Sequence, residues 1–361
     1  MNIRTCIGFL FLISLLCSTA ASAQQNSTQT SQAEPQATTT QRHSDKMYLD
    51  VVVSQKSGPP IAGLQQQDFT LLDNKSQQPI RSFKAVTGRE APIEVVLVID
   101  AINADARTIA YERGQIERFL NSEGGHLAYP TVLAVATERG TQVLGTFSND
   151  GNALKTELDK DEIGLRVIGR DAGFYGAADR LQMSLKALHQ LVVSEGARPG
   201  RKAMIWISPG WPILSGPNVE LDSKQENQVF AEVVDVSNQL AQARVTIYCV
   251  DPLGDSESLY RASYYEEFLK GVSKPSQVNM GNLGLQVLAI QSGGLTLNFN
   301  NDLPGLLQKS FSDMAPYYEI SFEPAAAERP DEYHHFEVKI AKPGLTARAR
   351  QGYYAQPAQH N

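Results

Sequence analysis

The sequence predicts an α/β fold: a doubly wound, mainly parallel sheet inserted between two β-rich flanks that pair into a small sandwich. Three observations point there. The middle of the chain, residues 91–315, alternates apolar runs with amphipathic stretches, the order that builds parallel strands joined by crossover helices. The runs at 93–99, 202–207 and 245–250 are apolar almost throughout, as befits strands buried on both faces. The flanks, residues 46–90 and 316–355, carry short runs separated by turn residues, and those of the second flank alternate with period two.

Taken in order, residues 1–23 read as a secretory signal peptide. Arg4 gives the positive start, residues 7–16 the apolar stretch, and Ala21-Ser22-Ala23 the small-residue cleavage site. Residues 24–45 are rich in Gln, Ser, Thr and Ala, a composition that buries too little apolar surface to offset the entropy of ordering, so a disordered leader is expected. Strands are expected at 48–53, 68–72 and 80–86. Asp73-Asn74-Lys75 supplies a turn.

In the middle, residues 93–99 form a strand that ends on Asp100. Residues 131–137 and 142–147 pair around a turn at 138–141. Further strands are expected at 202–207 and 245–250, with a weaker one at 295–299. Leu181, Leu185, Leu188 and Val192 share one helical stripe, and so do Val229, Val233, Val236 and Leu240. An aromatic-rich helix is expected at 256–270. Residues 317–322, 335–340 and 348–354 complete the second flank, and 356–361 form a tail.

The 361 residues are 42% hydrophobic with a formal charge of −7, which suits a folded chain and disfavours a nucleic-acid binder, because phosphate neutralisation needs clustered Lys and Arg. Cys6, Cys17 and Cys249 are the only cysteines. Signal cleavage leaves Cys249 alone, in an apolar run where a buried structural thiol is expected.

Ligands of open α/β sheets bind outside the carboxyl ends of the strands. Those ends read Asp100-Ala-Ile-Asn-Ala-Asp105, Ser208-Pro-Gly-Trp-Pro212 and Asp251-Pro-Leu-Gly254. A carboxylate closing a buried strand at such a turn resembles a von Willebrand factor type A domain. The flanks extend the likeness, with Gly58-Pro-Pro-Ile-Ala-Gly-Leu64 and Gln67-Asp-Phe69 in the first. Tyr317-Tyr318, His335-Phe-Glu-Val338 and Ala347-Arg-Ala-Arg-Gln-Gly-Tyr-Tyr354 follow in the second. Together these residues resemble the bacterial, Acidobacteria-type von Willebrand factor type A-related proteins over residues 47–355.

The resemblance implies a turn of the form Asp-x-Ser-x-Ser, with a distant Thr and a further Asp, holding magnesium. Here Ile102 and Ala104 stand at the Ser positions. The loop expected to supply Thr reads Arg170-Asp-Ala-Gly-Phe-Tyr-Gly176. Asp100, Asn103, Asp105 and Asp171 remain as residual ligand candidates. However, Asp105 fits a helix N-cap and Asp171 a loop charge, so no cofactor is expected and an Mg2+ or Ca2+ ion is the alternative.

Enzyme motifs are missing. The glycine spacing at 164–170 lacks the Lys and Ser/Thr of a phosphate loop, Ser208 lacks a nucleophile elbow, and the histidines lack metal spacing. The expected function is an exported, non-enzymatic binding or scaffold protein in the periplasm or secreted, not inserted in a membrane once the signal is cleaved. Its partner would be a protein or a cell-envelope component. Asn103, Phe174, Tyr175 and Trp211 are the contact candidates, because aromatic side chains on loops supply contact area at low entropic cost. Metal-dependent adhesion through Asp100, and a hydrolase at the same face, are the alternatives.

Overall fold

The computed structural model describes residues 46–56, 58–88, 91–160, 174–215, 221–253, 264–298, 300–325 and 327–357. The expected signal peptide and leader, Asp171 and the first half of the aromatic-rich segment lie outside them.

The chain opens with β1 (Met47–Gln55), β2 (Phe69–Asp73), β3 (Ser76–Gln78) and β4 (Ser82–Val86). Sequence reading does not anticipate β3. It forms because Asn74 and Lys75 both take positive φ (48° and 69°), the twist that closes a two-residue hairpin. The α/β layers follow, with β5 (Ile93–Asp100), α1 (Ala106–Leu120), β6 (His126–Thr137), β7 (Gly140–Asp150), α2 (Gly151–Lys160) and α3 (Phe174–Gly196). Next are β8 (Arg201–Ile207), α4 (Ser223–Gln242), β9 (Val245–Val250), α5 (Leu285–Gln291), β10 (Thr296–Leu297) and α6 (Leu303–Asp313). The chain closes with β11 (Tyr317–Phe322), β12 (Glu332–Ile340), β13 (Leu345–Arg348) and β14 (Gly352–Ala355).

The central sheet has the order β10-β9-β8-β5-β6-β7 and is parallel except for the β6–β7 hairpin. Strand β5 is flanked by β6 on one side and β8 on the other, so the winding direction reverses there, the place where open α/β sheets bind ligands beyond the carboxyl ends of their strands. Successive β5 side chains enter opposite cores. Val96 and Val98 pack with α3, α4 and α5, while Val95, Leu97 and Ile99 pack with α1, α2 and α6. All eight residues of the two helical stripes are buried, each contributing roughly 1.5–3 kcal/mol relative to exposure.

The flanks interleave in two antiparallel sheets, β13-β1-β11-β4 and β14-β12-β2-β3, each drawing strands from both flanks. Leu49, Val51, Phe69, Leu71, Ile320, Phe322 and Phe336 form one core between them. This is the expected pairing of the flanks as a sandwich. Two elements depart from expectation. The single run at 348–354 is broken at 349–351, and its halves β13 and β14 join different sheets. The described part of the aromatic-rich segment, Tyr264–Lys270, is a 3-10 helix that buries Phe268.

Candidate functional site

The site is built on the last residue of β5. Alternation along the strand puts Asp100 on the same face as Val96 and Val98, and it is fully buried. Its carboxylate accepts five hydrogen bonds. The turn that follows supplies two of them, from the Ile102 and Asn103 backbone N–H groups to Oδ1, both at 3.0 Å. The other three reach Oδ2, from Asn103 Nδ2 at 2.9 Å, Trp206 Nε1 at 3.1 Å and Ser208 Oγ at 2.8 Å. Trp206 comes from the adjacent strand β8, where it lies opposite Val98.

The shell around these donors is also hydrogen-bonded. Asn103 Nδ2 donates to Ser184 Oγ of α3 at 2.9 Å, Ser184 Oγ donates to Arg180 O, and Gly210 N donates to Ser208 Oγ. Asp100 therefore fastens together the β5 turn, the end of β8 and α3. A carboxylate offers about four lone-pair sites, and internal donors take them all.

Asp105 is the N-cap of α1 and accepts from Thr108 N at 2.7 Å. Asp251, at the end of β9, accepts from Leu253 N. Glu112, in the second turn of α1, is fully buried, and neither of its carboxyl oxygens has a hydrogen-bond partner among the described residues. Burial pushes its carboxyl well above the usual range, and the negative charges of Asp100, Asp251 and Asp105 push it further. Both effects favour the neutral acid.

Among the described residues, this face does not bring together the oxygen ligands of a divalent cation. Such an ion needs several oxygen ligands, whereas Ile102 and Ala104 have none in their side chains and Asn103 turns its amide N–H to Asp100. Among the described residues no group of three or more His, Cys, Asp or Glu could hold a metal.

Two contact candidates, Trp211 and Asn103, are buried. Trp211 is 3% exposed and meets Trp206 edge-to-face at 5.4 Å between ring centroids, so the core takes it. Asn103 is 8% exposed and is spent on Asp100 and Ser184. Tyr175 is the reverse case, 84% exposed at the start of α3, and Leu253 beyond β9 is 46% exposed. The Phe174 side chain lies outside the described residues.

Trp206 and Glu112 are the site residues that pattern reading misses. An indole N–H inside a continuous apolar run requires an acceptor, which was the available signal for Trp206. Elsewhere, Cys249 is buried and its thiol is pushed up by burial. His334 and His335 face opposite sides of β12. His334, buried, has its Nδ1 within 3.0 Å of both Asp73 carboxylate oxygens.

No family model and no curated protein matches the chain. Among solved structures, the chain is similar to the human COPII-coat protein Sec24c at 8% identity and a TM-score of 0.37, covering 77% of this chain and 45% of that one. It is also similar to the TFIIH p34 N-terminal domain, at 13% identity and a TM-score of 0.30, covering 61% of this chain and 97% of that one. The SpRpn10 VWA domain aligns at 14% identity and a TM-score of 0.29, covering 64% of this chain and 98% of that one. The match thus spans less than half of the Sec24c chain.

Proposed function

We propose that this chain is an exported, non-enzymatic binding module of the von Willebrand factor type A kind, engaging a protein or cell-envelope partner at the carboxyl ends of its central sheet. The observation that carries this reading is the saturation of Asp100 by five internal donors. A carboxylate so engaged braces the loop platform and has no lone pair left for a cation. Around it, Tyr175 and Leu253 offer exposed apolar surface, and aromatic anchors of that sort dominate interface energetics. The net charge of −7 disfavours nucleic acid as the partner. Among the described residues no helix is long and apolar enough to cross a membrane.

A non-catalytic role is supported by the same geometry. Ser208 Oγ donates to a carboxylate, and among the described residues no histidine hydrogen-bonds to it; His189 Nδ1 pairs with Gln239 on α4. Export rests on residues 1–23, and the amino terminus of the secreted protein is expected at Gln24 by Edman sequencing.

Calorimetric titration with Mg2+ and Ca2+ tests the site. No saturable heat is expected from the folded protein. Saturable binding that Asp100→Asn abolishes would replace this reading with cation-dependent adhesion. Turnover of an ester, phosphate or peptide substrate, lost in Ser208→Ala, would replace it with a hydrolase.

A further inference from the structure

The face at the carboxyl ends of the central sheet is acidic. Helices α1, α4 and α6 begin there on Asp105, Asp222 and Asp302, their N-caps. Asp251 follows β9, and Glu138 lies in the turn between β6 and β7. Against these five carboxyl groups the described loops of this face hold one base, Arg139. Arg107 and Lys224 lie in the first turns of α1 and α4, where Glu226 offsets Lys224. A helix start carries about half a positive charge, so a full carboxylate on each still leaves it negative. The stretches 161–173, 216–220 and 254–263, outside the described residues, hold six acids and three bases, an excess of the same sign.

That excess is felt in the interior. Glu112 lies on the stripe of α1 that carries Asp105 and Ile109, fully buried and without a hydrogen-bond partner among the described residues. After burial itself, the charges of Asp100, Asp251 and Asp105 are what raise its carboxyl. The same face also carries two exposed apolar groups. Tyr175, in the first turn of α3, is 84% exposed, and Leu253, two residues beyond Asp251, is 46% exposed. An exposed aromatic ring attracts a guanidinium or ammonium group. The methylene stem of Arg or Lys covers an aliphatic side chain while its head stays in water or meets a carboxylate.

We infer that the partner is a protein presenting a segment rich in Arg and Lys, whose cationic heads meet this acidic rim while its stems and guanidinium planes pack on Leu253 and Tyr175. The inference rests on the reading of this face as the binding platform and adds the chemistry of the partner. The same charges repel acidic segments, and complementarity of this kind governs association rate and partner choice more than affinity. Binding therefore weakens as salt rises.

The test is the fluorescence anisotropy of labelled hexa-arginine titrated with the full chain at neutral pH and low salt, with EDTA present to remove divalent cations. Saturable binding is expected, and raising the salt to about 0.5 M is expected to weaken it by at least roughly tenfold. Asp251→Asn combined with Asp302→Asn keeps the shape of both side chains and is expected to weaken binding roughly three- to tenfold. Tyr175→Ala, at an exposed position, is expected to weaken it roughly two- to fivefold. Removing the same charge from the sandwich, with Glu323→Gln and Glu337→Gln, is expected to change it by less than about twofold. An absence of saturable binding at low salt, an equal loss from the sandwich variant, or equally tight binding of hexaglutamate would overturn the proposal. Each of those results leaves the platform reading in place, because that reading falls instead on cation binding or substrate turnover.

Discussion

At the residue scale, the centre of the molecule is governed by two buried carboxyl groups with opposite hydrogen bonding. Asp100 is buried and accepts five hydrogen bonds. Asp100→Ala would leave the Trp206 indole N–H and two turn N–H groups buried without an acceptor. Hydrogen bonds to a charged group contribute about 1.5–3 kcal/mol each and are not additive, so a loss above about 3 kcal/mol is expected in urea unfolding; a loss under 1 kcal/mol would remove Asp100 as the brace of the site. Glu112 has no such donors, and its carboxyl is raised well above its usual range. The folded protein therefore keeps a proton that the unfolded chain releases above about 4.5. Stability must fall as pH rises from there through the folded value. Glu112→Gln preserves the shape and removes the titration. It is expected to flatten stability against pH across that window and to be the more stable form at neutral pH. An unchanged slope in the Gln variant would assign the pH dependence to other groups.

At the element scale, close backbone approach decides where strands and helices can sit. Strand β10 is two residues long and pairs with β9 through Thr296↔Cys249 and Leu297↔Val250. The chain reaches it through Gly294, where an added Cβ would lie 1.7 Å from Ile247 O and 2.7 Å from its carbonyl carbon. Backbone cannot yield as a flexible side chain does, so Gly294→Ala is expected to push β10 off the sheet at a cost of roughly 3 kcal/mol or more, read as a lowered urea midpoint. An unchanged midpoint would show that β10 contributes little. Helix α1 shows the complementary case of an element legible from its sequence. Asp105, which the sequence marks as an N-cap, caps it in the structure, and Ile109 and Ile116 are buried along it. Helices α2, α5 and α6 went unread. The seven residues of α5 span only two turns, and five of them are buried, so no polar face marks its periodicity.

At the scale of the whole molecule, the central sheet is tied to the sandwich by arginines. Arg201 Nη1 donates to Met314 O at 2.6 Å and lies over the Tyr317 ring at 4.7 Å. Arg348 of β13 pairs with Asp313 at the end of α6, which also accepts from Tyr248 of β9. Asn238 of α4 exchanges two hydrogen bonds with the Tyr354 backbone of β14. Such ties couple the layers, so residues 46–361 are expected to unfold in one transition, with near- and far-ultraviolet circular dichroism coincident. Two separated transitions would show the sandwich folding independently. Deleting residues 317–361 removes two strands from each flanking sheet and is expected to leave a chain without a cooperative transition.

The sequence by itself determined the elements whose pattern is local. Strands buried on both faces read as unbroken apolar runs, the long helices α3 and α4 show a stripe against a polar face, and the N-cap of α1 is a short-range hydrogen bond. It also brought Asp100 to the carboxyl end of a central strand. Only the tertiary structure decided how far each side chain is exposed and what it meets. Trp211 and Tyr175 are both aromatic residues near loop ends, yet one is 3% and the other 84% exposed, because the first packs on Trp206 while the second stands clear of any core. Asp100 and Glu112 carry the same carboxyl chemistry, yet five donors converge on one, whereas the other has no hydrogen-bond partner among the described residues and burial pushes it well above its usual range. Convergence of groups more than 80 residues apart, such as Asp100 with Trp206 and Asn103 with Ser184, leaves no periodic trace in the chain, because it arises when strands align in register and helices pack across them.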